Sequence, residues 1–572
     1  MDMYCDQFIF GHFYHLVGLP RLIVKMLQTI EIGPDPVGKD ESRDSAACHH
    51  IIQQTLNHLS MTGPLLGNSI SPNRRRALFE TTKRVLASAI NDGIACATLE
   101  SCNSPSLLLC LRSPGGAMAS YEDAWIKCGM RADAYVETDG GRISEKLDPG
   151  VICGVICRWR SRQDESDAVE ILVKELTVSK LHRTCLAQPF LVPIAPDDIP
   201  YLLEPELSFL CVPKSDMKVF GPFQSLLEPL LRSLGIPKPD DTVNEIVVPC
   251  FSRQLPCITP LFPNARILGT VQNRCRAQLS MRTVSMTPDV GSSPLHLKLS
   301  LNCQITSRLR TISPNAAALA TAVGNILRDL LPPDLWIFEE AASITACIIR
   351  KSPELRAADI GETLIPVAGL MQKPFNDNRT YIEIMFGLDS LKEKQTWFRK
   401  YLDKLFSLIL PPLVRHGIRI EAHSQNVLVR VNITNKEITG FAIRDFDVIR
   451  IHYPTFLRHP DNENALNDIP PGARTLTDDL HRMWHAVHHS LLQAHVGHLL
   501  YMLGLESKGG WRVVREELER ALNPSGDLDG RLLYDFWLKE TMLSRCFLEM
   551  RLRDAYAKFY ERELPNILLR DA

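Results

Sequence analysis

The segment between Leu391 and Ile451 admits few arrangements. KQTWFRKYLDKLFSLILPPLVRHG repeats apolar residues at three- and four-residue spacing and stops at Gly417, which predicts one long amphipathic helix with a glycine terminator. Two β-branched runs follow, IRIEAHSQNVLVRVNI and ITGFAIRDFDVIRI, joined by the polar TNKE. Such a pair predicts antiparallel neighbours. A helix delivered directly onto a hairpin commits this part of the chain to a mixed helix-and-sheet core.

The rest of the chain falls around that anchor. Residues 40–190 read mostly helical, with ALFETTKRVLASAI and DAVEILVKELTVSKL as the clearest periods. From about 200 to 385 the texture turns strand-like, with proline-rich breaks such as IPKPDD and LPCITPLFP. DGGRISEKLDPG and MTPDVGSSP read as punctuating loops. In HLKLSLNCQITSRLR, Leu297, Leu299, Leu301 and Cys303 alternate with His296, Lys298, Ser300 and Asn302. Period two predicts one buried and one polar face, with Lys298 on the polar one. After the hairpin the chain reads helical to its end. The expectation is an α+β protein in three parts: a helical region 1–195, a β-rich region 196–390, and a region 391–572 holding the hairpin and the C-terminal helices.

Composition narrows the function. The 572 residues are 45% hydrophobic and 23% charged, as in ordinary globular proteins. Lys plus Arg number 64 against 66 for Asp plus Glu, so neither nucleic acid nor an anionic membrane is the expected partner. The 16 cysteines are scattered and show no C-x-x-C or zinc spacing, which suits reduced, buried thiols in the cytoplasm. The apolar N-terminal FIFGHFYHLVGLPRLIVKMLQTI is interrupted by histidines, Arg21 and Lys25, and reads as a packing helix rather than a membrane span or signal peptide.

Two constellations carry chemistry. Glu421, His423, Gln425 and Asn426 sit where the first strand of the hairpin begins, and Asp445 where the second ends. A carboxylate with an amide oxygen is a hard-oxygen set for Mg²⁺. The five-residue step from Glu421 to Asn426, followed by R-D-F, parallels the Asp, Asn and D-F-G of protein kinases. Taken alone, the same residues equally suit a buried hydrogen-bonded network with Asn426 in a turn. The second constellation is cationic and hydroxylic: Ser280, Arg282 and Thr283 in AQLSMRTV, Lys298, and Thr306, Ser307 and Arg310 in the run after it. Point charge, bidentate guanidinium and hydroxyls together suit a triphosphate. A lone strand lysine is otherwise a solvated edge residue.

LKLSLNCQITSRLRTI, AQLSMRTV, HGIRIEAHSQNVLVR with RDFD, and the late FLEMRL together resemble the aerobactin-type siderophore synthetases, the IucA/IucC family. The resemblance implies a cupped-hand fold of helical thumb, β-rich fingers and mixed palm. It further implies an AMP-forming ligase that uses ATP and Mg²⁺ to adenylate a carboxylic acid, which an amine or alcohol then captures. On the matching positions Ser280, Arg282, Thr283, Lys298, Ser307, Arg310, Gln425 and Asn426 would hold the nucleotide. Glu421, Asn426 and Asp445 would hold Mg²⁺, with His423, Lys298 and Arg310 catalytic. The expected partners are these substrates and a second copy of the chain in a homodimer.

The match fails in one place. Where the family carries GHPxHPxxKxR, this chain reads AQPFLVPIAPDDIPYLLEPEL, without His, Lys or Arg; PCFSRQ replaces HPWQ and keeps only Gln254. That leaves a degenerate paralogue, or a branch using another carboxylate, beside the main reading, and a kinase-like phosphotransferase as the alternative enzyme. In HRMWHAVHHSLLQAHVGHLL, His481, His485 and His489 recur every four residues, but no acid joins them, so a helix of mixed burial is expected rather than a metal site.

Overall fold

In the computed structural model the described residues are five strand backbones between 96 and 145, and 203–570 apart from 240–243, 281, 288–289, 291–294, 306–307, 375–376, 378, 471–472, 523–527 and 547–559. The chain divides into two compact units. The first comprises Met1–Cys5, Thr184–Leu505 and Trp511–Lys539; the second comprises Asp6–Arg183, Glu506–Gly510 and Glu540–Ala572. Residues 196–390 and 391–505 fall within the first unit.

In the second unit, β1 (Cys96–Ser101), β2 (Leu107–Arg112), β3 (Ile126–Gly129), β4 (Tyr135–Asp139) and β5 (Arg142–Glu145) form an antiparallel meander in chain order. The helical reading of 40–190 is thus corrected over these residues. Short apolar runs such as LLLCLR carry no decisive period, and pairing with neighbours settles them as strands. β5 falls within the DGGRISEKLDPG read as a loop, and its Arg142 opposes Asp139 of β4.

Three of the first unit's sheets make its frame. β6 (Leu207–Pro213) lies between β8 (Glu245–Phe251) and β9 (Arg266–Val271). A six-stranded antiparallel sheet runs β10 (Cys275–Ala277), β11 (Thr283–Met286), β12 (Leu295–Leu299), β17 (Cys347–Lys351), β16 (Glu339–Ile344) and β7 (Val219–Phe220). Its apolar face, with Leu297, Leu299, Ile344 and Ile349, packs with Phe209, Val247 and the helix α1 (Phe223–Ser233) in one core. The alternation in HLKLSLNCQITSRLR breaks at Ser300, whose amide bonds Ala346 O at 2.9 Å. Beyond it β13 (Leu301–Ile305) and β14 (Arg308–Arg310) form a separate two-stranded ribbon.

The other face of the six-stranded sheet is shared. At one end α2 (Pro314–Leu330) covers it; Ser313 caps that helix, and Ser343 Oγ donates to Ala317 O at 2.6 Å. The rest faces the loop after β21. The third sheet has the order β15 (Leu335–Ile337), β21 (Ile438–Ile443), β20 (Val427–Asn432), β18 (Glu362–Pro366). β15 runs into β16 through Phe338, whose amide bonds Ile443 O at 2.9 Å, so one continuous segment ties this sheet to the six-stranded one.

The predicted long helix is α3 (Leu391–His416), opened by a Ser390–Glu393 capping box and packed on β21. A small sheet of β19 (Ile418–Arg419), β22 (Arg450–His452) and β23 (Leu476–Thr477) follows. β23 corrects the helical reading of the chain after the hairpin, as do β24 (Thr541–Arg545) and β25 (Glu561–Pro565), which pair in the second unit. The histidine run spans α4 (Leu480–Val487), a π-helical stretch His488–Gly497, and a last helical turn to Met502. Among the described residues no helix is long and apolar enough to cross a membrane.

Gly417 ends α3 in the left-handed conformation at φ 64°, its amide bonded to Leu413 O. A Cβ there would meet Thr455 Cβ at 2.9 Å and His452 Cβ at 3.0 Å. Gly417→Ala combines the left-handed cost of about 1–2 kcal/mol with overpacking of about 1–3 kcal/mol. We expect urea denaturation to show a loss of about 2 kcal/mol or more.

Candidate active site

Lys298 was expected on the polar face, at a strand surface. It lies instead on the central strand β12, between Thr283 of β11 and Ile348 of β17, and is 1% exposed. The polar face is real but it is interior. Lys298 Nζ stands 2.7 Å from Asp445 Oδ1, 3.5 Å from Asp447 Oδ1 and 3.9 Å from Glu340 Oε1. Burial lowers its pKa to about 8, opposed chiefly by Asp447. One pair away, Arg350 donates Nε and Nη2 to Glu340 Oε1 at 3.0 and 2.8 Å, and Nη2 also to Asp445 Oδ1. Asp445 holds a left-handed backbone at φ 71°, rare for a residue with a side chain. Burial works to raise the Asp447 pKa, but Lys298, Arg282 and Arg350 together hold its carboxyl well below the usual range.

Around this cluster the expected phosphate residues gather. Arg282 Nη1 donates to Arg310 O at 3.1 Å, and the Arg282 carbonyl accepts from Leu299 N at 2.7 Å. Burial lowers the Arg282 pKa while Asp447 and Glu340 oppose it; the guanidinium stays charged. Ser280 Oγ, Thr283 Oγ1 and Glu340 Oε2 are buried without a hydrogen-bond partner. Thr306 and Ser307 lie outside the described residues, as do FLEMRL and most of 187–207. Gln254 is buried after β8.

The hairpin mouth supplies the second half. Arg444 N bonds Asn426 O at 3.1 Å, which places Asn426 beside the start of the RDFD loop, as the strand pairing predicted. The Arg444 guanidinium donates to Gln425 O at 3.2 and 2.9 Å. Gln425 N donates to His423 Nδ1 at 3.3 Å, so the His423 proton sits on Nε2, 3.8 Å from Glu421 Oε2. Burial depresses the His423 pKa, helped by Arg444 and Arg310 and opposed by Glu421, which keeps the ring neutral. The loop is pinned from behind. His495 Nδ1 donates to Ala422 O at 2.9 Å, so its Nε2 accepts from Tyr401 OH at 2.6 Å. Burial pushes His495 down to about 4.

The expected Mg²⁺ set is only partly assembled. Asn426 Nδ2 reaches Glu421 O at 3.5 Å, while the Glu421 carboxylate faces Arg419 at 3.6 Å and His423. Among the described residues no three His, Cys, Asp or Glu groups converge as a metal cage. The acidic neighbours that Asp445 shares through Lys298 are Asp447 and Glu340. Sequence reasoning missed Glu340, Arg350, Arg444 and Asp447. Asp447 and Arg444 lay in the quoted RDFD; Arg350 follows the buried Ile348 and Ile349 on a strand, a position where a charge signals an interior partner. In the histidine run, His481 stacks on Phe536, and His489 Nδ1 pairs with Gln493 Oε1 at 2.7 Å.

Lys298→Met leaves Asp445, Asp447 and Glu340 short of one buried cation. Breaking such a pair costs about 3–5 kcal/mol. We expect that loss in urea denaturation; a change under about 0.5 kcal/mol would return Lys298 to the solvated edge.

The sequence model of the IucA / IucC family matches residues 264–372, and that of the ferric iron reductase FhuF-like transporter family matches 395–558. The NRPS-independent siderophore synthetase-like protein ankE of Aspergillus thermomutatus is 33% identical over 88% of this chain and 96% of its own length. The NRPS-independent siderophore synthetase rfs of Rhizopus delemar is 24% identical over 68% of this chain and 64% of its own. D-ornithine–citrate ligase of Staphylococcus aureus is 23% identical over 52% and 51%. The chain thus spans nearly all of the first relative and half to two-thirds of the others. The petrobactin biosynthesis protein AsbB of Bacillus anthracis superposes with a TM-score of 0.66 at 17% identity, covering 93% of this chain and 98% of that one. ATP-bound aerobactin synthetase IucA of Klebsiella pneumoniae gives 0.63 at 11%, covering 85% and 99%. At such identities the superpositions establish the fold. With one relative matched along almost its whole length, and the IucA / IucC match falling on the strands that carry Lys298 and Arg350, the chain belongs to the IucA/IucC family of NRPS-independent siderophore synthetases.

Proposed function

We propose that this chain is an AMP-forming ligase that activates a carboxylic acid with ATP and joins it to an amine or hydroxyl in siderophore or related specialised metabolism. One observation carries the reading. The cations Lys298 and Arg282 and the unpartnered hydroxyls of Ser280 and Thr283 share an interior polar face with the Asp445 loop. That donor set suits a triphosphate, and the ATP-bound IucA neighbour supports ATP as the nucleotide. The residues fit Mg²⁺ as well: Asp445 and Asp447 are carboxylates in one loop beside the Asn426 amide, and a phosphate-bound Mg²⁺ needs only one or two carboxylates. When bound, the ion would neutralise charge on the phosphates.

In this reading Lys298, Arg282, Arg310, Ser280, Thr283 and Ser307 bind phosphate oxygens, and Gln425 with its unpartnered Oε1 takes a polar group of the nucleotide. A substrate carboxylate oxygen forms a bond to the α-phosphorus, and pyrophosphate leaves with the electron pair of the broken P–O bond. Lys298 and Arg310 stabilise the charge that develops there. His423, neutral and protonated on Nε2, offers a hydrogen bond at the junction of phosphate and carboxylate. The amine or hydroxyl then attacks the acyl carbon; AMP leaves, and the nucleophile gives up its proton to solvent or base.

Two outcomes test this. ATP consumed with a carboxylic acid and an amine should yield AMP and pyrophosphate, whereas ADP would mark a kinase-like transfer. Asp445→Ala, checked for folding, should weaken Mg²⁺-dependent ATP binding by about tenfold or more, or about 1.4 kcal/mol; unchanged affinity sinks the metal assignment.

The donor should carry fewer charges than citrate. The stretch 187–207 supplies no cation, and each carboxylate left unpaired in a site costs several kcal/mol. Under identical conditions kcat/KM for succinate, 2-oxoglutarate or a monocarboxylic acid should exceed that for citrate. A tenfold preference for citrate overturns this.

A further inference from the structure

We infer that Arg350, braced by Glu340, is a positioning residue that sets the Asp445 carboxylate for Mg²⁺–nucleotide binding; the inference rests on the ligase reading above. The geometry is specific. Arg350 is 1% exposed, and both of its nitrogens that face Glu340 converge on one oxygen of that carboxylate. The same Nη2 also bonds Asp445 Oδ1. Glu340 and Arg350 are direct cross-strand partners on β16 and β17, so the sheet itself fixes the guanidinium. A register irregularity between Glu340 and Ala342 falls at this point and separates Glu340 from the ladder beyond.

Asp445 needs such a brace. Its left-handed backbone is strained for a side-chain-bearing residue, and such strain persists only where the surroundings over-determine it. Lys298 alone cannot set the carboxylate, since its ammonium is a point charge shared with Asp447 and Glu340. The planar guanidinium bonded to Glu340 adds a direction. Arg350 occupies one edge of Asp445 Oδ1 and so leaves a defined remainder of the carboxylate for the ion. Groups that orient a metal ligand typically change metal affinity by about 10–100-fold when removed.

The test titrates MgCl₂ at fixed ATP and reads nucleotide affinity by calorimetry, with thermal melting alongside. Arg350→Lys keeps the charge and loses the fork. The pair Glu340→Gln with Arg350→Met removes both charges together and avoids an uncompensated buried ion. Asp445→Asn is the reference. We expect the Mg²⁺ midpoint to rise about tenfold or more in Arg350→Lys and in the double variant. ATP affinity without Mg²⁺ should stay within about twofold, a pattern that lost stability does not produce. Affinities are expressed per folded molecule. If the midpoint stays at the wild-type value in both variants while Asp445→Asn raises it, Arg350 is a structural ion pair and the inference fails alone. If Asp445→Asn also leaves the midpoint unmoved, the metal reading fails and carries the inference with it.

Discussion

Charge taken out of water on one face of one sheet governs this structure. Lys298, Glu340 and Arg350 are each 1% exposed, on three neighbouring strands. An isolated buried ion costs several kcal/mol, and the balance is restored only by partners with good geometry. Glu340 is one partner; the others, Asp445 and Asp447, come from the third sheet. The six-stranded sheet therefore cannot cover this face with apolar packing as α2 does at Ile348. It requires the RDFD loop, and the loop is delivered by the hairpin that the sequence announces most clearly. The β15–Phe338–β16 segment makes the delivery accurate, since its amide at Phe338 joins Ile443 just before the loop.

This also explains which parts of the site were legible. The helix stop at Gly417, the hairpin, and the convergence of Asn426 with the loop follow from local period and turn chemistry. The same reasoning placed Lys298 on the correct face. It failed on burial, because alternation distinguishes two faces and not whether the polar one meets water. That depends on what packs there from residues more than a hundred positions away. Glu340 and Arg350 were illegible for the same reason: their function lies in a cross-strand pairing that no local pattern encodes. The strands between 96 and 145 were missed because short apolar runs take their state from neighbours.

The hairpin mouth shows a second kind of control. His423, Gln425 and Asn426 sit on irregular backbone, which by itself holds side chains loosely. Here the carbonyl of Ala422 is fixed by His495, and His495 by Tyr401 of α3, with all three buried. His495 lies in the π-helical stretch, where the extra residue per turn changes which side chains face α3. The low pKa of His495 keeps the ring neutral at ordinary pH, so its donor and acceptor do not exchange. α3 thus does more than fill the core; its Tyr401 reaches, through His495, the loop whose polar residues make the site.

The internal balance of charge constrains what can bind. Glu340, Asp445 and Asp447 stand against Lys298, Arg350 and Arg282, three of each sign, so the cluster has little net positive charge to offer an anion. A nucleotide must exchange partners within it, taking Lys298 and Arg282 as carboxylates turn to the metal. The Arg444 charge is opposed by Glu354, while its hydrogen bonds go to the oxygens of Gln425 and Gln278. With no cation in 187–207, each further carboxylate on the acyl donor would add negative charge to a site already matched. Electrostatics and the absent motif therefore both support the proposed preference for an acyl donor less charged than citrate.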